Sequence, residues 1–145
     1  MTDFEKRVRT AVFVSFRDRA AAPSSAALAT SLNVPREQVI DALRSLASQH
    51  CLVLDSSQEE VLMAHPFSAV ETDHVVGIGP RQWFANCAWD GLAILAMLGD
   101  GCFETRSPAT GEPLRFTTRD GIVEGEGVVH FLVPARQFWQ DIGHT

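Results

Sequence analysis

The sequence contains no apolar run long enough to cross a bilayer, so we expect no membrane contact. Near the N-terminus, the charges of Asp3, Glu5 and Lys6 are followed by no apolar segment, and we therefore expect no secretory signal peptide. Internal repeats and low-complexity tracts are also missing. What remains is a chain of 145 residues, 46% hydrophobic and 21% charged, which is typical of one globular domain or two small ones.

Cysteine is scarce, and its count is odd. The three cysteines are Cys51, Cys87 and Cys102. Without a secretion signal, this count indicates free thiols in a reducing cytoplasm rather than a disulfide framework. No two cysteines have zinc-knuckle spacing, and the five histidines form no His-x-x-x-His pair. We therefore expect no structural zinc site.

The net charge of -6 argues against non-specific binding to nucleic acid or to anionic membranes. The partner expected from the sequence is a small-molecule substrate, and the oligomeric state stays open.

The first 64 residues have the pattern of a winged-helix module. We predict three helices and then two short strands, at residues 3–19, 26–32, 35–49, 51–54 and 61–63. The third helix offers Arg36 and Arg44 against Glu37 and Asp41, which suits neither phosphates nor bases. We therefore expect this module to pack on the next domain rather than to bind nucleic acid.

The second predicted domain, residues 65–145, is a small mixed β-sheet with a central helix, so the fold class is α+β. It begins with a predicted linker at residues 65–68. The predicted strands are residues 72–78, 82–84, 102–105, 114–118, 122–124 and 128–133, and a short amphipathic helix is predicted at residues 135–142. His130, in the last strand, is predicted to be a hydrogen-bonded core histidine.

The functional interpretation depends on the stretch from Trp83 to Gly99. Bulky strand-like residues are followed by Asn86, a good N-cap, and by a short apolar helix that ends at Gly99. Cys87 is then expected in the first helical turn, where free backbone N–H groups favour a thiolate. Asp90 lies three residues further on and therefore on the same face.

A thiol and a carboxyl side by side are expected to share one proton, because two neighbouring anions in a low-dielectric pocket disfavour each other. Packing offers another interpretation. Cys87 would then fill the core, as Cys51 and Cys102 are expected to do, and Asp90 would only complement the dipole of its own helix.

Five motifs follow one another in the second domain. They are Pro66-Phe67-Ser68, Trp83-Phe84-Ala85-Asn86-Cys87-Ala88-Trp89-Asp90, Thr110-Gly111-Glu112-Pro113, Val129-His130-Phe131-Leu132-Val133-Pro134 and Phe138-Trp139-Gln140-Asp141-Ile142-Gly143. With these motifs, residues 65–145 resemble the alkylmercury lyase (organomercurial lyase) family, and Cys-Ala-Trp-Asp is the sharpest of them. The helical module also fits the winged-helix-like domain of that family.

The resemblance implies an enzyme that protonates a carbon–mercury bond, releases a hydrocarbon and leaves Hg(II) bound to thiolates. It implies no cofactor, with Hg(II) as the bound product and excess cellular thiol as the co-reactant. Cys87 matches a cysteine that holds mercury, and Asp90 matches the aspartate that handles the proton. The residue types suit this chemistry, because thiolate is a soft ligand and a carboxyl can protonate carbon.

A second cysteine follows the Trp-x-Asp-Ile segment in that family. No cysteine stands between this segment and Thr145, so either the position lies further on or this protein lacks it. Two thiolates are expected to activate the carbon better than one, because each pushes electron density through mercury. His144 is the nitrogen donor near that position and is a candidate pocket residue. Cys102 does not match the position of that second cysteine.

Trp89 and Phe84 are further candidate pocket residues, with core packing as the alternative for both. Two other functions stay open. The pair of Cys87 and Asp90 could serve a non-mercurial lyase or isomerase that acts on a small metabolite. The protein could instead be a winged-helix regulator that binds a ligand or a metal ion.

Overall fold

The computed structural model describes residues 1–131, 133–140 and 142, and it confirms the α+β class. Three helices come first: α1 (Asp3–Arg19), α2 (Ser25–Leu32) and α3 (Arg36–Ser48). α1 begins at a capping box between Thr2 and Glu5, and α2 ends at Asn33 in the left-handed conformation. None of the helices in the described part of the chain has both the length and the apolar character needed to cross a membrane.

One eight-stranded sheet and a fourth helix follow. The strands are β1 (Val53–Leu54), β2 (Val61–Ala64), β3 (Phe67–Ser68), β4 (Val75–Ile78), β5 (Arg81–Ala85), β6 (Cys102–Arg106), β7 (Pro113–Arg119) and β8 (Ile122–Glu124). Their order in the sheet is β1-β2-β3-β5-β4-β6-β7-β8. Helix α4 (Ala88–Leu98) connects β5 to β6, and a 3-10 helix (Ala135–Gln140) comes last.

Every strand pair in the described residues is antiparallel, which corrects the mixed sheet expected from the sequence. The reason lies in the connection through α4. Strands β5 and β6 run in the same direction, but β4 lies between them and pairs with both.

The predicted linker at residues 65–68 is wrong, because Phe67 and Ser68 form β3 between β2 and β5. Phe67 is 1% exposed, and its ring stacks on that of Phe16 in α1 with centroids 5.1 Å apart. The sheet thus continues across the predicted domain boundary between residues 64 and 65. The boundary itself stays a prediction.

The described residues of the 128–133 segment form no strand, which corrects the apolar strand predicted there. Val128 is 92% exposed, and His130 is exposed as well, so the core-histidine prediction is also wrong. An apolar run of strand-forming residues becomes a strand only where a partner strand is available.

Two glycines allow the chain to pass close to Phe116 after β8. A Cβ at Gly125 would lie 2.7 Å from the Phe116 ring, and one at Gly127 would lie 2.8 Å from it. The backbone therefore passes closely over Phe116, which only glycine allows. The next element is the 3-10 helix, where the sequence predicts an amphipathic helix over residues 135–142.

Both arginines of α3 bond to the β1–β2 hairpin. Nη2 of Arg36 lies 2.7 Å from Oε2 of Glu59, and Nε of Arg44 donates to the carbonyl of Gln58 at 3.1 Å. The two arginines of α3 therefore help to hold this helix against the β1–β2 hairpin.

Helix α4 is held closely against the sheet. A Cβ at Gly91 would lie 2.2 Å from the ring of Phe103, which is fully buried in β6. Trp83, in β5, donates its indole N–H to the carbonyl of Phe16 at 2.6 Å. These contacts fix the position at which the chain passes from β5 into α4.

Candidate functional site

The thiol of Cys87 caps the N-terminus of α4. Cys87 has an extended backbone, and its Sγ accepts the backbone N–H of Asp90 at 3.5 Å. The helix therefore begins one residue later than predicted, with Cys87 rather than Asn86 as the N-cap. The two predicted catalytic residues lie side by side, as their spacing indicates.

The pKa of the Cys87 thiol is raised, first because the thiol is buried and second because the charge of Asp90 opposes a thiolate. The backbone N–H groups of Trp89 and Asp90 lower the pKa of the thiol, but their effect is smaller. The helix N-terminus thus favours a thiolate, as expected, but burial and the charge of Asp90 outweigh its effect on the pKa. A protonated thiol beside a carboxyl is consistent with a pair that holds a proton.

Removing the charge of Asp90 is expected to lower the pKa of the Cys87 thiol. In Asp90→Asn, burial still opposes ionisation, but the neighbouring anion is gone. Since iodoacetamide reacts with the thiolate, the midpoint of alkylation at Cys87 should shift to lower pH. Peptide mass spectrometry measures the rate of alkylation of Cys87 at each pH, with Cys51 and Cys102 as internal references. An unchanged or higher midpoint would contradict the coupling.

Two residues that the sequence interpretation missed complete this site. His65 Nδ1 lies 3.2 Å from Asp90 Oδ2, and Asn86 Nδ2 donates to the same oxygen at 3.0 Å. His65 Nδ1 and Asn86 Nδ2 are themselves 3.2 Å apart. Proximity to the motifs was the available signal, because His65 directly precedes Pro66-Phe67-Ser68 and Asn86 lies within the motif that contains Cys87. The sequence interpretation placed His65 in a linker and used Asn86 as a cap.

This cluster is shielded from water unevenly. The Asp90 side chain is 13% exposed, and that of His65 is 31% exposed. Two of its atoms, His65 Nε2 and Asn86 Oδ1, are buried and have no hydrogen-bond partner among the described residues. Such atoms are rare in proteins and often mark a site with a function.

His74 lies within reach of the Asp90 charge. Its Nδ1 is 2.8 Å from Oγ1 of Thr105, and burial lowers its pKa against the opposing effect of Asp73 and Asp90. Burial therefore favours the neutral form of His74.

Aromatic rings lie on the outer side of α4. Trp89 is 56% exposed, so the core alternative for this residue is wrong. Its ring centroid lies 5.8 Å from that of Phe131, which in turn lies 5.5 Å from that of Phe138. We call Trp89, Phe131 and Phe138 the aromatic cluster. It leaves an accessible apolar surface at the first turn of α4.

Trp139 connects the end of the described chain to the site. Its ring stacks on His50 with centroids 4.4 Å apart, and it meets the ring of His65 at 5.7 Å and nearly at a right angle. The contact with His65 covers part of the Asp90 cluster.

The other predicted pocket residues are placed differently. Phe84 neighbours Trp83 in β5 and therefore lies on the opposite face of the sheet. His144 lies outside the described residues. Cys51 and Cys102 are half-buried free thiols, one after α3 and one in β6. Across residues 1–131, 133–140 and 142, no group of three or more His, Cys, Asp or Glu side chains could hold a metal ion.

Comparison with known proteins connects this geometry to a family. The sequence model of the alkylmercury lyase family matches residues 67–145, a range that includes Cys87 and Asp90. The fold is similar to the crystal structure of the mercury-bound form of MerB2, with a TM-score of 0.68 and 24% identity. That match covers 86% of this chain and 60% of the MerB2 chain. No curated protein matches the sequence.

Proposed function

Because the chain belongs to the alkylmercury lyase family, we propose that it cleaves a carbon–mercury bond by protonation. The observation that carries this proposal is the contact between Cys87 and Asp90 at the start of α4, within the residues that match the family. A thiol is the kind of soft ligand that mercury prefers, and the neighbouring carboxyl is able to transfer a proton, so this contact supports the proposal.

The first step is exchange of thiols on the substrate, an organomercurial R–Hg–SR′. Cys87 forms a sulfur–mercury bond, its thiol proton passes to the neighbouring Asp90 carboxylate, and the bond from mercury to SR′ breaks to release the thiolate R′S⁻. The raised pKa of Cys87 means that the free enzyme holds this proton until a substrate arrives. The exchange replaces one sulfur ligand by another, so mercury keeps the soft ligand that it prefers throughout.

The second step breaks the carbon–mercury bond. The electron pair of that bond stays on carbon, which takes a proton from Asp90 and leaves as RH. The thiolate R′S⁻ from the first step binds mercury as the carbon leaves, and Asp90 returns to its carboxylate form. The sum is R–Hg–SR′ plus R′SH giving RH plus Hg(SR′)₂ after a final exchange. His144 stays a candidate donor to the same mercury.

The organic group R needs an apolar surface next to Cys87. We assign that surface to the aromatic cluster, because Trp89 is the second residue of α4 and is largely exposed. Burying such a ring against an apolar group is favourable in water. Phe84 is less suited, since it lies on the other face of the sheet.

We expect the protein to release benzene catalytically from a phenylmercury salt in the presence of excess thiol. Headspace gas chromatography measures the benzene, and thiol without protein is the control. The Cys102→Ser variant should release benzene at the rate of the unmodified protein, because Cys102 lies in β6 and not beside Asp90. Benzene at the level of the control would contradict the proposed function.

A second candidate is acid–base catalysis on a small metabolite that contains no mercury. The observation in its favour is that Asp90 is surrounded by nitrogen donors from His65 and Asn86, which acid–base chemistry of many kinds could use. The benzene assay separates the two. Stoichiometric capture of phenylmercury at Cys87 without benzene release would favour this candidate.

A further inference from the structure

Both nitrogen contacts of the Asp90 carboxyl converge on one oxygen. His65 Nδ1 lies 3.2 Å and Asn86 Nδ2 lies 3.0 Å from Oδ2. An oxygen that accepts two hydrogen bonds is the poorer site for a proton. A proton on this carboxyl is therefore held on Oδ1.

The tautomer of His65 follows from the same contacts. The amide nitrogen of Asn86 has only hydrogens to offer, and it donates one of them to Oδ2. Its 3.2 Å contact with Nδ1 of His65 would be a hydrogen bond only if Nδ1 were an acceptor, which requires the His65 proton to be on Nε2. If His65 carried its proton on Nε2, that buried N–H would have no acceptor among the described residues. A buried N–H without an acceptor is costly and rarer than an unused acceptor. His65 therefore donates from Nδ1.

The geometry favours a positioning role for His65 over a proton relay. A relay would take a proton from water at Nε2 and pass it to Asp90 from Nδ1. Nε2 is buried and has no partner among the residues that the structure describes, and Trp139 packs against the ring. The outer end of such a relay therefore lacks a connection to water.

We propose that His65 is a positioning residue for the protonolysis, an assignment that rests on the proposed function. Together with Asn86, it holds Oδ2 and turns Oδ1, which carries the proton, toward the carbon of a mercurial bound at Cys87. His65 comes from the β2–β3 connection, whereas Asn86 and Asp90 flank Cys87 at the start of α4. The carboxyl is thereby held from two separate parts of the chain.

Two substitutions at His65 separate positioning from relay. His65→Ala removes the donor and should lower kcat for benzene release about 10²-fold with little change in KM, the size of loss expected when a reacting group is misplaced. His65→Asn keeps an N–H donor near the place of Nδ1 but cannot relay a proton, so it should recover most of the rate. His50→Ala is the matched control, because His50 also contacts Trp139 but not Asp90.

If His65→Asn is as slow as His65→Ala, His65 acts as a relay and the proposal is overturned. If His65→Ala retains the full rate of benzene release, the proposal is overturned as well. Thermal melting of each variant shows whether it is folded. A loss of equal size in His50→Ala would assign the effect to Trp139 and would also overturn the proposal.

The tautomer can be measured without any substrate. Long-range ¹H–¹⁵N spectra of the labelled protein should show His65 protonated on Nδ1 at neutral pH, with its signals identified by their loss in His65→Asn. In Asp90→Ala the proton should move to Nε2, the preferred position in free imidazole side chains. An Nε2–H tautomer in the unmodified protein would overturn the assignment. Absence of benzene release together with the Nδ1–H tautomer would instead count only against the proposed function.

Discussion

Replacing Cys87 with serine is expected to abolish both the capture of an organomercurial and the release of hydrocarbon. A serine hydroxyl is a hard ligand with little affinity for mercury, so the first step of the reaction has no acceptor. We expect turnover to fall about 10³-fold or more, the scale seen when a group that bonds to the substrate is removed. Benzene release measures the second step, and the mass of the protein–mercury adduct measures the first.

Serine is a suitable substitution because Cys87 is an N-cap. Its Sγ accepts the backbone N–H of Asp90, and a serine oxygen is among the preferred acceptors at that position. The start of α4 should therefore be preserved, which thermal melting can verify. Cys51→Ser and Cys102→Ser are the matched controls and should retain capture. Full turnover in Cys87→Ser would remove the site proposed above.

Replacing Asp90 with asparagine is expected to stop the reaction one step later. An amide cannot supply the proton, and a general acid typically contributes about 10²- to 10⁴-fold to the rate. Capture at Cys87 should continue and become faster at neutral pH, because the neighbouring charge that raises the pKa of the thiol is gone. The mass of the intact protein should then show an adduct in which the organic group is still attached to mercury.

The adduct distinguishes loss of the acid from loss of the fold. Asp41→Asn, on the exposed side of α3, is a matched control and should release benzene at the unmodified rate. Benzene release from Asp90→Asn at that rate would show that the proton comes from another group. Absence of both adduct and benzene would show that Asp90 is needed for capture, which also contradicts the proposed order of steps.

Local sequence predicted the relative placement of Cys87 and Asp90 well. A short apolar segment that ends at Gly99 forms a helix wherever it packs, and a spacing of three places Cys87 and Asp90 together. The position of the N-cap was missed by one residue, because a cysteine thiol is not a usual cap. The net direction of the pKa shift of Cys87 was left open by the sequence, which set the helix N-terminus against a neighbouring carboxyl. It depends on burial, which a sequence does not display.

The remaining differences between the predictions and the structure arise where residues that are distant in sequence come into contact. His65 contacts Asp90 across 25 residues, and it does so because Phe67 and Ser68 form a strand between β2 and β5. The apolar residues that begin at Val128 predict a strand by composition, yet the chain has already left the sheet over Phe116. Strand formation needs a partner, and no local pattern reveals which partner is free.

The sequence by itself therefore determined the thiol and the carboxyl, their spacing on one helix and the family to which they belong. These features follow from backbone geometry over a single turn and from a motif of four residues. Only the tertiary structure decided which groups surround the carboxyl, how deeply the thiol is buried and which aromatic rings stay exposed. Sheet pairing brings His65 to Asp90, and the solvation and charge of a buried group depend on all the elements packed around it.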